Sequence, residues 1–269
     1  MKIKVLRWIK VIVLLYGIIG IALYYSQEYI LFHPTPLPRD YHFNFNGTFA
    51  ETDIPFNQTD TLNLVKFFPA GTIRKGVVIY FHGNKDNINR YAKFAGNFTK
   101  QGYEVWMEDY PGYGKTIGER TEKILYAQAE QVYKLAATKF KKDSIIIYGK
   151  SLGTGIATYV ASRNDCKQLI LETPYYSIPD IFAGYAFMYP TERMITYKIP
   201  TYEYLQEVKV PVTIFHGTND WVIPYRCAIK LKMFLKSSDQ FITIDNGRHN
   251  NLNDFPLFHQ KLDSLLSLP

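Results

Sequence analysis

A chain of 269 residues with 47% hydrophobic and 20% charged side chains has material for one medium-sized core, and this composition excludes a disordered or low-complexity protein. Its formal net charge of +7 does not mark a nucleic-acid binder, because Lys2, Lys4, Arg7 and Lys10 carry four of those charges at one end. Cys166 and Cys227 are too few for a disulfide framework and lack C-x-x-C spacing, so they read as buried free thiols.

The basic start precedes an uncharged apolar stretch over 11–27, at the short end for a spanning helix, with Trp8, Tyr24 and Tyr25 placed as interfacial anchors. A cleaved signal peptide is the competing reading, but its small-x-small site, Gly20-Ile21-Ala22, is weak. Residues 1–28 are therefore expected to be an uncleaved transmembrane signal anchor. The positive-inside rule puts the domain on the extracytoplasmic side, periplasmic in a bacterium. Pro34, Pro36 and Pro38 make 29–40 a linker that cannot be helical throughout. Three N-glycosylation patterns, at Asn46, Asn57 and Asn97, decide nothing without the source.

From residue 41 to 269 strand and helix patterns alternate. Apolar runs predict strands over 61–68, 76–81, 103–107, 144–148, 168–171, 212–215 and 241–244. Helical stripes cover 88–101, 121–140, 152–163 and 255–266. This order predicts a mostly parallel sheet with helices on both faces and ligands at the carboxyl ends of the strands. About 175–208 breaks the rhythm with a long interval rich in Tyr and Pro. It reads as a small cap lining a pocket with aromatics, against the alternative of ordinary helices packed on the sheet edge.

Gly149-Lys150-Ser151-Leu152-Gly153 stands between a strand and a helix, the setting in which Gly-x-Ser-x-Gly presents a nucleophilic serine on a strained turn. A serine hydroxyl needs a base and a group that orients the base. His249 follows the final strand and is preferred to His259, which sits inside the last helix. Asp220, in the loop after 212–215, is preferred as the acid over Glu172, which ends the preceding strand. Asp109 precedes the serine and orders its own loop. Backbone amides of Asn84 and Leu152 are expected to form the oxyanion hole, with His82 supporting the loop. Lys150 either attracts an anionic substrate or points to solvent. No metal or organic cofactor is implied.

Five features in register, an apolar strand ending in His82-Gly83, Asp109-Tyr110-Pro111-Gly112-Tyr113-Gly114, the serine pentapeptide, Gly217-Thr218-Asn219-Asp220 after a late strand and Gly247-Arg248-His249 after the last, resemble the α/β-hydrolase superfamily from about residue 45 onward. More narrowly, Phe81-His82-Gly83-Asn84, the 109–115 run, the serine pentapeptide, Leu171-Glu172-Thr173-Pro174-Tyr175 and His216-Gly217-Thr218-Asn219-Asp220 resemble its N-terminally membrane-anchored branch, which includes protein depalmitoylases and prolyl oligopeptidase-like hydrolases. The resemblance implies the α/β-hydrolase fold and a triad on Ser151, Asp220 and His249, but no substrate; the expected activity is cleavage of a carboxylic ester or thioester, with a lipid, an acylated protein and a small ester all left open as its carrier. A serine peptidase of prolyl oligopeptidase-like type and a non-catalytic binding protein on the same fold stay open as alternatives. Haloalkane or epoxide chemistry is disfavoured, since it needs an aspartate where Ser151 stands.

Overall fold

The computed structural model describes residues 2–71 and 74–267. Met1, Leu268 and Pro269, at the outer bounds of the expected anchor and domain, and residues 72–73 lie outside the described residues. Helix α1 (Lys2–Leu31) opens the chain as one rod of 30 residues, about 45 Å long at 1.5 Å per residue. It continues past residue 28 and stops where Pro34 removes a donor and biases His33 to extended backbone.

There follow β1 (His33–Pro34), β2 (Phe49–Pro55), β3 (Thr61–Phe67), β4 (Gly76–Phe81) and β5 (Lys85–Asp86). Next come α2 (Ile88–Tyr91), α3 (Gly96–Thr99), β6 (Tyr103–Glu108), α4 (Glu122–Ala137), β7 (Ile145–Lys150), α5 (Leu152–Arg163) and β8 (Gln168–Glu172). The chain ends through α6 (Ile178–Tyr185), α7 (Thr191–Met194), α8 (Thr201–Glu207), β9 (Val212–Gly217), α9 (Tyr225–Ile229), β10 (Gln240–Ile244) and α10 (Pro256–Ser267).

Eight strands make one sheet in the order β10-β9-β8-β7-β4-β6-β3-β2. It is parallel from β10 to β6 and antiparallel where β3 and β2 join. Successive side chains on a strand point to opposite faces. Val77, Ile79, Ile145 and Ile147 accordingly pack with Leu125 and Val132 of α4 and Ile156 and Val160 of α5. Val78, Tyr80, Ile146 and Tyr148 pack on the other side with Tyr91, Phe98, Phe258 and Leu262. Both faces being covered, these strands read as continuous apolar runs in the sequence.

Two elements depart from the sequence reading. The stripe at 88–101 buries Ile88, Tyr91, Ala95 and Phe98 as expected, but a 3-10 turn at Ala92–Phe94 splits it into two short helices. Strand β2 was not foreseen: it is a half-exposed edge with Glu51 and Asp53 in its middle, so it lacks an apolar run. Those two carboxylates accept from Asn63 Nδ2 on β3, each at 2.7 Å, and Glu51 also pairs with Lys115 at 2.7 Å. In the 175–208 interval, α6 stands over the carboxyl edge of the sheet beside Ser151, with α7 packed against α6. Helix α8 instead packs on α5, where Tyr204 meets the stacked rings of Tyr126 and Tyr159 edge-on.

Glu108, at the end of β6, is buried with neither carboxylate oxygen hydrogen-bonded among the described residues. Burial, reinforced by the charge of Asp109, pushes its carboxyl well above the ordinary value. A group whose pKa is raised by folding lends stability fully below its unfolded pKa of about 4.3, and loses it as pH rises toward the folded value. Across that window the stability of the wild type relative to Glu108→Gln should fall by up to about 1.4 kcal/mol per pH unit. Urea melts of both chains from acid to mildly alkaline pH test this, and parallel curves would refute it.

Candidate active site

Strand β7 ends in the serine turn because α5 begins against the neighbouring backbone. A Cβ on Gly153 would lie 2.1 Å from the Phe81 carbonyl oxygen, and one on Gly149 would lie 2.5 Å from the Gly153 carbonyl oxygen. Only glycine fits at either position. Between them Ser151 is held at φ 53°, a left-handed conformation that costs a non-glycine residue about 1–3 kcal/mol. Its side chain stands at the carboxyl edge of the sheet.

Loops after β9 and β10 bring the other two residues to the same place. His249 Nε2 lies 2.9 Å from Ser151 Oγ, and His249 Nδ1 lies 2.7 Å from Asp220 Oδ2. The carboxylate requires a proton on Nδ1, which leaves Nε2 free to accept from the serine hydroxyl. Asp220 Oδ1 accepts from the Val222 and Ile223 amides at 2.9 and 2.8 Å. Burial alone would raise the Asp220 carboxyl, but the hydrogen bond and field of His249, the Ile223 amide and His216 outweigh it and hold the group below its ordinary value. His216, 3.6 Å from Asp220 Oδ2, is itself pushed down by burial, and its Nε2 lies 3.0 Å from the Ile223 carbonyl. His259 is remote from this relay, its Nε2 against the Asn253 carbonyl at 2.7 Å.

Asn84 and Leu152 line the same cavity as Ser151. The loop carrying Asn84 is tied down by both tyrosines of the 109–114 motif. Tyr110 donates to the His82 carbonyl at 2.6 Å, and Tyr113 donates to the Asn84 carbonyl at 2.7 Å. Asp109 Oδ1 accepts from the Ile88 amide at 2.9 Å and sits 3.1 Å from His82 Nε2. These two tyrosines carried no assigned role in the sequence; hydroxyls closing on carbonyls nearly thirty positions away leave no periodic trace.

Lys150 meets neither expectation, because its side chain is buried and paired with Glu172. Glu172 also accepts from Tyr148, whose phenol is pushed up by burial and then by that carboxylate. Lys150 Nζ further lies 3.5 Å from the His249 carbonyl oxygen. Glu172 is thus engaged behind the turn and is not the partner of His249. The available signal was strand alternation: Lys150 is two residues beyond Tyr148 and shares its core-facing side.

The cavity that opens on Ser151 holds about 690 Å³, and none of its lining residues is charged. Among the described residues no group of three or more His, Cys, Asp or Glu side chains could hold a metal ion. Cys166 and Cys227 are free and buried, and burial pushes their thiols up to about 12 and about 11.

Comparison with known proteins agrees with this architecture. A family described as serine aminopeptidase, S33, matches residues 72–204. Alpha/beta hydrolase domain-containing protein 17C of Xenopus tropicalis is 28% identical over 196 residues, covering 71% of this chain and 61% of the relative. Protein 17B of Homo sapiens is 26% identical over 201 residues, covering 72% and 67%. The chain thus spans about three-fifths of the length of the first of these curated relatives. Among solved structures, Est1E from Butyrivibrio proteoclasticus with ferulic acid bound aligns with a TM-score of 0.66 at 18% identity, over 80% of this chain and 97% of that one. A Pyrococcus furiosus esterase aligns with a TM-score of 0.67 at 16% identity, over 88% and 97%. At such identities these structures speak for the fold alone.

Removing the ammonium of Lys150 leaves the Glu172 carboxylate buried and unpaired. Lys150→Met should cost about 3–5 kcal/mol of stability, and Lys150→Met combined with Glu172→Gln should recover most of it. Urea melts in detergent test this; a single variant within about 1 kcal/mol of wild type would contradict it.

Proposed function

Because the chain belongs to the α/β-hydrolase superfamily, we propose that it is a membrane-anchored serine hydrolase that cleaves a carboxylic ester or thioester through an acyl-enzyme. The observation that carries this reading is the unbroken relay Ser151–His249–Asp220 at the mouth of an uncharged cavity. Ser151 Oγ attacks the carbonyl carbon while its proton passes to His249 Nε2, and Asp220 stabilises the imidazolium that forms. The Asn84 and Leu152 amides take the charge that develops on the carbonyl oxygen. His249 then protonates the leaving alcohol or thiol. A water, deprotonated by the same imidazole, hydrolyses the acyl-serine and restores the hydroxyl.

The aminopeptidase description of the matching family favours a second reading, cleavage of a peptide bond. An N-terminal amine would call for a carboxylate in the cavity, and no Asp or Glu lines it among the described residues. An acyl chain suits that lining better. Helix α1 is the one described helix long and apolar enough to span a bilayer. Lys4, Arg7 and Lys10 at its start support a cytoplasmic N-terminus with the hydrolase domain on the other side.

A fluorophosphonate probe should label the wild type and fail on Ser151→Ala, and Asp220→Asn should slow ester turnover by about four orders of magnitude. Equal labelling of wild type and Ser151→Ala would end the reading. The orientation is tested separately: protease added outside intact cells, or to spheroplasts of a bacterial host, should digest the domain, and full protection would reverse the assignment.

A further inference from the structure

The cavity that opens on Ser151 is not walled by the hydrolase domain alone. Ile19, Leu23, Ile30 and Leu31 of α1 form one side of it, facing α6 and Trp221. The helix is held there at both ends of the contact. Tyr16 stacks on Tyr189 with ring centroids 4.5 Å apart and planes 7° from parallel. Their hydroxyls bond the Met188 and Tyr16 carbonyls at 2.8 and 2.9 Å. Lower down, Gln27 Oε1 accepts from the Thr196 amide at 2.6 Å, and Glu28 pairs with Arg120 at 3.0 Å. Asn84, in the candidate oxyanion loop, donates from Nδ2 to the terminal Leu31 carbonyl at 2.8 Å.

The same helix measures depth in a bilayer. A hydrocarbon layer of about 30 Å takes about 20 residues at 1.5 Å each. Lys10 at one end and Glu28 at the other, whose charges stay outside hydrocarbon, confine the layer to the residues between them. Ended earlier, at the aromatic pair Tyr24 and Tyr25, it still contains Ile19 and Leu23. Two residues of the cavity wall therefore lie at membrane depth, and the cavity mouth cannot stand clear of the bilayer. Around that mouth the domain exposes Tyr185, Phe187, Met188 and Trp221, with Phe187 82% and Trp221 81% accessible. Large apolar and aromatic groups gathered on one rim are the signature of a surface that enters the headgroup and acyl boundary. In the turn that carries Tyr185, Phe187 and Met188, Ala186 donates to Phe182 and Tyr189 to Ala186 at 2.7 and 2.9 Å, and the Met188 carbonyl accepts from Tyr16.

We infer that this face docks in the bilayer and that the cavity admits a fatty acyl chain sideways from it, between α1 and α6, bringing a bilayer-resident ester to Ser151. The inference rests on the proposed hydrolase and anchor. Helix α1 is then part of the substrate site as well as a tether. A water-soluble ester reaches Ser151 without using this route, whereas a long-chain ester must use it.

The full chain carries its own depth probe, since Trp221 is on the rim, Trp106 is buried and Trp8 can be removed as Trp8→Phe. In phosphatidylcholine vesicles, exchanging ordinary lipid for lipid brominated along the acyl chain should quench Trp8→Phe, and the loss should vanish in Trp8→Phe/Trp221→Phe. Equal emission in both lipids would overturn the docked face. Narrowing the wall with Leu23→Trp should lower the ratio of long-chain to short-chain ester hydrolysis by about tenfold or more. An unchanged ratio would overturn the acyl route. Fluorophosphonate labelling of the wild type separates the two levels: a chain that is quenched but never labelled keeps its docked face and loses the hydrolase reading.

Discussion

The closeness of α5 to the end of β4 governs the whole site. With the Gly153 Cα pressed against the Phe81 carbonyl, the chain leaving β7 has no room for a relaxed turn, and Ser151 takes up the difference at φ 53°. The strain, about 1–3 kcal/mol, is small against what holds it. Six parallel strands and the helices on both faces would have to separate before the turn could relax. The same approach brings Asn84, which follows β4, and Leu152, which opens α5, to one cavity. The candidate nucleophile and its two candidate amide donors thus derive their relative positions from one backbone contact.

Loops beyond that contact are held by polar side chains, because loop backbone cannot satisfy itself as a ladder does. Tyr110 and Tyr113 hold the carbonyls of the Asn84 loop, and the Asp220 carboxylate gathers two amides of its own loop while orienting His249. Each of these groups is buried, so loss of one leaves a partner unsatisfied in a place where water cannot replace it.

What could be read from the sequence follows the same physics. Central strands were legible because burial on both faces makes them continuous apolar runs, and Ser151, Asp220 and His249 were legible because each follows such a run within a few residues. Strand β2 was not, since an edge half open to solvent carries Glu51 and Asp53 where a core strand carries Val or Ile. The direction of Lys150 was recoverable from its register with Tyr148, but a charge beside a nucleophile invites an outward reading. Contacts of α1 with the 188–196 region span about 170 positions, joined by Tyr16 and Tyr189 and by Gln27 and Thr196. Neither end has a periodic pattern that names the other, so the part played by α1 in the cavity wall was visible only in three dimensions.

Lys150 also has an electrostatic consequence behind the serine turn. Two buried carboxylates flank that turn, and only Asp220 touches the His249 imidazole. Without a partner, Glu172 would be a buried unpaired charge, which is strongly destabilising. The ammonium of Lys150 cancels that charge where it arises, and Tyr148 supplies a further donor to the same carboxylate. Asp220 then remains the uncompensated anion in contact with the ring, aligned with Nδ1 and opposite Ser151. A lysine inside the serine turn, which looks like a lure for anions in the linear sequence, acts in the fold to neutralise a carboxylate buried behind that turn.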